Sequence, residues 1–76
     1  MSRRLPALTP REVIRALERA GFFLHHSVGS HRHFKHPDRP ELRVTVPYHT
    51  KDLKRGPLAA IIKAADLTPE QFRELL

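Results

Sequence analysis

Phe22-Phe23-Leu24-His25-His26-Ser27-Val28-Gly29-Ser30-His31-Arg32-His33-Phe34-Lys35-His36 is the stretch on which the fold turns. Over 22–28, Phe22, Leu24, His26 and Val28 alternate with Phe23, His25 and Ser27, the two-residue period of a strand. Gly29-Ser30 is a tight connection of small residues, one of them free to take backbone angles that side chains disfavour. A second strand follows over 31–36, with Phe34 as its apolar anchor. Pro37-Asp38-Arg39-Pro40 is a strong turn signal. A third strand over 41–47 directs Leu42, Val44 and Val46 inward and Arg43 and Thr45 outward. Connections this short predict antiparallel pairing.

Helices flank the strands. Thr9-Pro10-Arg11-Glu12 carries a capping residue, a proline at the first helical position and a glutamate that completes a capping box. Val13, Ile14, Leu17 and Ala20 repeat at helical spacing, and Gly21 supplies the stop. A second helix starts at Gly56-Pro57, with Leu58, Ile61, Ile62 and Ala65 on one face, and breaks at Asp66-Leu67. Thr68-Pro69-Glu70-Gln71 repeats the cap logic before Phe72, Leu75 and Leu76. The expected architecture is α+β, in α-β-β-β-α order: a three-stranded antiparallel sheet, both main helices on one face, and a short extra C-terminal helix. Residues 1–8 read as a flexible arm and 9–76 as a single domain. The uncovered face should carry His31, His33, Lys35, Arg43 and Thr45.

Composition narrows the partners. In 76 residues, Lys and Arg total 14 against 8 Asp and Glu, a net charge of +6. An excess this large points to an anionic partner, nucleic acid first and an acidic protein second. The longest apolar run, 58–62, is too short to span a bilayer, and the first residues lack the apolar stretch of a signal peptide. Cysteine is absent, which fits a cytoplasmic location. The basic residues gather near the histidines: Arg32, Lys35, Arg39, Arg43, Lys51, Lys54 and Arg55.

His31 is the candidate for proton transfer, because imidazole can both take and give a proton near neutral pH. Gly29 and Ser30 leave room for a ligand to approach the backbone. The plainer reading of the same residues is a turn followed by a solvated, histidine-rich strand. His31 and His33 lie two apart, a spacing that can chelate a metal, but neither cysteine nor a helical metal motif accompanies them. His25, His26 and His36 read as ordinary strand residues. His49 reads as a phosphate contact or a cap. The loop from His49 to Arg55 can grip phosphates through Lys51, Lys54 and Arg55 and through the free N–H groups of the following helix start. Tyr48 is the aromatic nearest to the open face.

The whole pattern resembles the HicA family of bacterial toxins. The resemblance runs through Gly29-Ser30-His31, Phe34, His36-Pro37-Asp38, Val44-Thr45-Val46-Pro47 and His49. It continues through Lys51, Leu53, Gly56, Leu58, Ile61-Ile62, Ala65, Leu67-Thr68, Glu70 and Phe72. It implies a fold like that of double-stranded-RNA-binding domains and an mRNA-cleaving activity resting on the histidine of the Gly-Ser-His stretch, here His31. It also implies inhibition by a partner antitoxin, HicB. Pro57 and Asp66 depart from the family pattern, the first from a small polar residue and the second from a frequent glycine. His33 is an additional histidine on the same strand face.

RNA brings its own nucleophile, the 2′-hydroxyl, so cleavage needs proton transfer and charge stabilisation but in principle no metal or cofactor. His31 would act as general base, general acid or both in turn, leaving His33 a minor part. Arg32, Lys35 or Arg43 would hold the phosphate. The alternative is a non-catalytic RNA-binding module of the same fold. A protein-interaction domain meeting an acidic partner is a third class, compatible with the first.

Overall fold

The computed structural model describes residues 7–49 and 51–76. Residues 1–6 of the expected arm and Thr50 of the basic loop lie outside them. The elements are α1 (Pro10–Arg19), β1 (Phe23–Val28), β2 (His31–Lys35), β3 (Arg43–Pro47), α2 (Arg55–Ala64) and α3 (Pro69–Glu74). The order is the expected one. The strands form one antiparallel sheet with β2 in the middle.

α1 begins with a complete capping box. Thr9 Oγ1 accepts the Glu12 N–H at 3.1 Å, and the Thr9 N–H donates to Glu12 Oε1 at 2.9 Å. Two donors that the helix leaves unmatched are thereby satisfied. α3 repeats the arrangement with Thr68 and Gln71. α2 has no side-chain cap at Lys54.

The far ends of α1 and α2 share one device. After α1, the Gly21 N–H bonds Glu18 O and the Phe22 N–H bonds Leu17 O, each at 3.0 Å. After α2, the Asp66 N–H bonds Lys63 O at 3.0 Å and the Leu67 N–H bonds Ile62 O at 3.1 Å. Both are Schellman closures, which need a left-handed residue just past the helix. Gly21 supplies it with φ +100°, and Asp66 with φ +59°. The departure from glycine at Asp66 therefore falls at a left-handed position, one that aspartate tolerates better than most side chains. Its carboxylate is held by Arg39 Nη2 at 3.1 Å.

The core lies between the sheet and the helices. Val13, Ala16 and Leu17 of α1, Phe34 of β2, Val44 and Val46 of β3, Leu58, Ile61 and Ile62 of α2 and Phe72 of α3 are all buried. Phe34 stands opposite Val44 in the ladder, so one side-chain layer joins the two strands. α1 and α2 both pack against β3. β1 therefore overhangs the core, and every residue in it is exposed.

Two details differ from the sequence reading. The alternation over 22–28 is broken by a β-bulge at His25: Leu24 pairs with Phe34, but His26 pairs with His33. The extra residue reverses the phase. His26 and Val28 consequently join Phe23 on the open face, while Ser27 turns to the helix side with Arg32. The end of the expected arm is also held in place. Leu8 is 6% exposed, bridges to Leu53 and accepts its N–H at 2.6 Å. Burial of an apolar side chain together with a backbone bond outweighs the freedom expected of a chain end.

Candidate active site and nucleic-acid interface

The open face of the sheet is read rung by rung. His31 pairs with Pro47, His33 with Thr45 and Lys35 with Arg43. Residues directly opposite each other share a face, so β2 and β3 present these six side chains together. β1 adds Val28 beside His31, His26 beside His33 and Phe23 beside Lys35.

His31 is the first residue of β2, directly after the turn. Gly29 has φ +56°, whereas Ser30 does not share a positive φ, as in a II′ hairpin turn. A Cβ on Gly29 would meet nothing within 4 Å, so backbone angle rather than crowding calls for glycine here. The Ser30 carbonyl accepts the Tyr48 N–H at 2.5 Å, which fixes the turn against the end of β3. His31 is exposed and has no hydrogen-bond partner among the described residues. It shares a shallow groove with Arg43, Thr45 and Pro47 of β3 and with Pro57 and Ala60 of α2.

His33 is set differently. Its Nδ1 lies 3.0 Å from Thr45 Oγ1, and its ring is stacked on that of His26 at 4.4 Å, the planes 14° apart. His26 Nδ1 in turn lies 2.8 Å from His25 Nδ1, so one of those two nitrogens carries the proton. The bulge makes this cluster possible, since unbroken alternation would turn His26 to the other side. The depression around it is also lined by Lys35 and Arg43.

Lys35 and Arg43 face each other across the ladder. Two like charges so placed destabilise a sheet, a penalty that a bound anion removes. Arg32 is not with them. Strand alternation turns it to the helix side, where its guanidinium carbon sits 3.6 Å from the centroid of the Tyr48 ring. Tyr48 is thereby occupied as well. The aromatic that does stand on the open face is Phe23, 45% exposed and opposite Lys35. Sequence reasoning missed it because its immediate neighbour Phe22 is a core residue and the overhang of β1 is a tertiary property.

The remaining histidines do local work. His36 Nδ1 accepts the Asp38 N–H at 3.1 Å, so Nε2 holds the proton that it donates to Ala20 O at 3.0 Å. Its ring stands edge-on to Phe22 at 5.1 Å. His49 Nδ1 accepts the Lys51 N–H at 3.2 Å and shapes the basic loop. Lys51, Lys54 and Arg55 are exposed around buried Leu53, and the first turn of α2 contains no acidic residue. Arg39 is bound to Glu41 at 2.6 Å and to Asp66 at 3.1 Å. The bond from Arg39 holds the Glu41 carboxyl below the usual carboxylate range. Among the described residues no three histidine or carboxylate side chains converge to hold a metal ion, and no helix is long and apolar enough to cross a membrane.

The Gly29-Ser30-His31 turn and strand thus stand on an exposed face beside Lys35 and Arg43. A comparison with curated proteins finds no match. A family model described as the HicA toxin of bacterial toxin–antitoxin systems matches residues 10–67. That span runs from the first residue of α1 to the closure of α2 and takes in the whole sheet, and the chain belongs to the HicA toxin family.

Proposed function

We propose that this toxin is a cytoplasmic endoribonuclease that cleaves mRNA through the 2′-hydroxyl of its substrate, with His31 in acid–base catalysis. The observation that carries the reading is the composition of one exposed face. An unengaged imidazole shares a groove with Arg43, and Arg43 stands opposite Lys35. A phosphodiester resting against Arg43 brings its 2′-oxygen into reach of His31. The cations balance the charge that builds on the phosphoryl oxygens. Gly29 and Ser30 leave the approach open, and His49, Lys51, Lys54 and Arg55 extend the positive surface along the RNA strand. Arg32 contributes from the other side of the sheet by fixing Tyr48 and the end of β3.

Nothing in this scheme calls on a metal, because the nucleophile belongs to the substrate. Family membership implies pairing with a HicB antitoxin. An acidic antitoxin surface laid over the open face would block RNA and neutralise the exposed cations at once.

The test is His31→Ala. Cleavage of RNA and growth arrest should both disappear, while folding and RNA binding persist, because an exposed strand residue contributes little packing. Wild-type cleavage should continue in a metal chelator and leave a cyclic phosphate or its hydrolysis product. Full cleavage by the variant, or its loss in chelator, refutes the mechanism. Binding without cleavage by the wild type returns the chain to the class of RNA-binding modules, for which exposed Phe23 beside Lys35 offers a stacking platform.

A further inference from the structure

We infer that His33 is a second catalytic residue on this face, the general acid that protonates the leaving oxygen while His31 takes the proton from the 2′-hydroxyl. The inference rests on the ribonuclease reading above and divides its chemistry between two imidazoles.

Position is the first argument. The opposed cations Lys35 and Arg43 occupy the rung next to His33 and Thr45, whereas His31 is one rung further on. Arg43 lines both depressions, the one beside His31 and the one beside His33. A phosphate held by Arg43 is thus open to both rings, with His33 the nearer. Same-face neighbours on a strand are about 6.6 Å apart. That separation accommodates one phosphoryl group with a hydrogen bond of about 3 Å on each side.

Positioning is the second. His31 has no hydrogen-bond partner among the described residues, but His33 is fixed from two directions. Thr45 Oγ1 holds Nδ1, and the stacked His26 ring sets the plane. Nε2 remains without a partner among the described residues. A hydroxyl can accept from a protonated Nδ1 or donate to a bare one, so Thr45 keeps the ring in place in either protonation state. His25 braces His26 from behind at 2.8 Å. The groups facing His33 are His25 and His26 from β1, Lys35 from β2, and Arg43 and Thr45 from β3. Among the described residues no carboxylate lines either depression.

The step balances without any further reactant. The O2′–H bond breaks and its proton moves to His31. The O2′–P bond forms while the P–O5′ bond breaks, its electron pair going to O5′. O5′ takes the proton of the His33 imidazolium, leaving a 2′,3′-cyclic phosphate and a free 5′-hydroxyl. Water returns the two imidazoles to their starting states, and nothing is oxidised or reduced.

The experiment uses two RNA substrates, one natural and one in which the scissile 5′-oxygen is replaced by sulfur, a leaving atom that needs no protonation. His33→Ala should cleave natural RNA about a hundredfold or more slowly. It should cleave the sulfur-linked RNA at close to the wild-type rate. His31→Ala should fail on both. The wild-type pH–rate profile on natural RNA should be bell-shaped, and His33→Ala should lose its alkaline limb. A purely supporting role for His33 would slow both substrates alike, and that result overturns the inference, as does an unchanged rate on natural RNA. His33→Gln, which keeps a polar side chain opposite Thr45, should behave as His33→Ala does and guards against a folding defect. A wild-type protein that cuts neither RNA refutes the ribonuclease reading itself, which separates the two failures.

Discussion

The six histidines of this chain show how one side chain takes its role from its neighbours. His36 is committed at both ring nitrogens and closes the turn between α1 and β1. It is also what makes Gly21 sensitive. A Cβ at that position would stand 2.6 Å from His36 Nε2, on a backbone with φ +100°. Gly21→Ala should therefore destabilise the fold by about 2 kcal/mol, strain and a lost hydrogen bond together. In a domain of this size the melting temperature falls by on the order of 10 °C. Gly29→Ala meets open space and should cost about half as much. Thermal melts of the two variants, side by side, check the difference. Single residues of this kind are legible only in part. His31 stands out in the sequence because Gly and Ser precede it. The engagement of His36 and the freedom of His31 depend on contacts between distant segments, which no local pattern encodes.

Elements are most legible in the sequence where backbone chemistry is local. Both capping boxes follow from four consecutive residues, and both formed. Their electrostatics lead to a pH effect with a definite sign. Bonds from the Thr9 N–H and hydroxyl hold the Glu12 carboxyl below the usual carboxylate range, and Arg39 does the same for Glu41. A carboxyl with a lower pKa in the folded state stabilises above its unfolded pKa and loses that contribution as pH falls through the folded one. Thermal stability should thus hold from neutrality to about pH 5 and decline below about pH 4. Glu12→Gln should flatten part of that acid limb, whereas Glu70→Gln, a carboxylate outside both capping boxes, should not. An equal decline in both variants would show that the cap is not responsible. The bulge at His25 was not legible at the element scale. The run from Phe22 to Val28 alternates without interruption, and the extra residue becomes visible only against the register of β2.

At the scale of the whole molecule, charge and topology combine. The helices cover β2 and β3 and leave one broad face of the sheet to solvent, with Lys35 and Arg43 on that face and Lys51, Lys54 and Arg55 around the start of α2. Binding to single-stranded RNA should weaken steeply with salt, because each neutralised phosphate releases a counterion. Replacing Lys51, Lys54 and Arg55 together by Ala should weaken binding and reduce the slope of log affinity against log salt by about 2. An unchanged slope would place the contact on the sheet alone. The order of elements and the one-sided core could be read from periodicity, since each strand and helix declares its apolar face. How far β1 projects past the helices could not, because overhang depends on helix lengths and crossing angles.

The bridge between Leu8 and Leu53 links two parts of the chain that the sequence keeps far apart. Its single backbone bond fastens the segment before α1 to the basic loop, so the two are clasped or released together. The Leu53 amide proton becomes a built-in reporter of that clasp: protected from exchange with deuterium while Leu8 is seated, and quickly labelled once it lifts. A bulky fusion placed ahead of Ala7 would pull on the same latch and reach the loop that carries Lys51, Lys54 and Arg55. If the proposed contact with RNA runs through that loop, such a fusion should weaken RNA binding in step with faster labelling of the Leu53 amide.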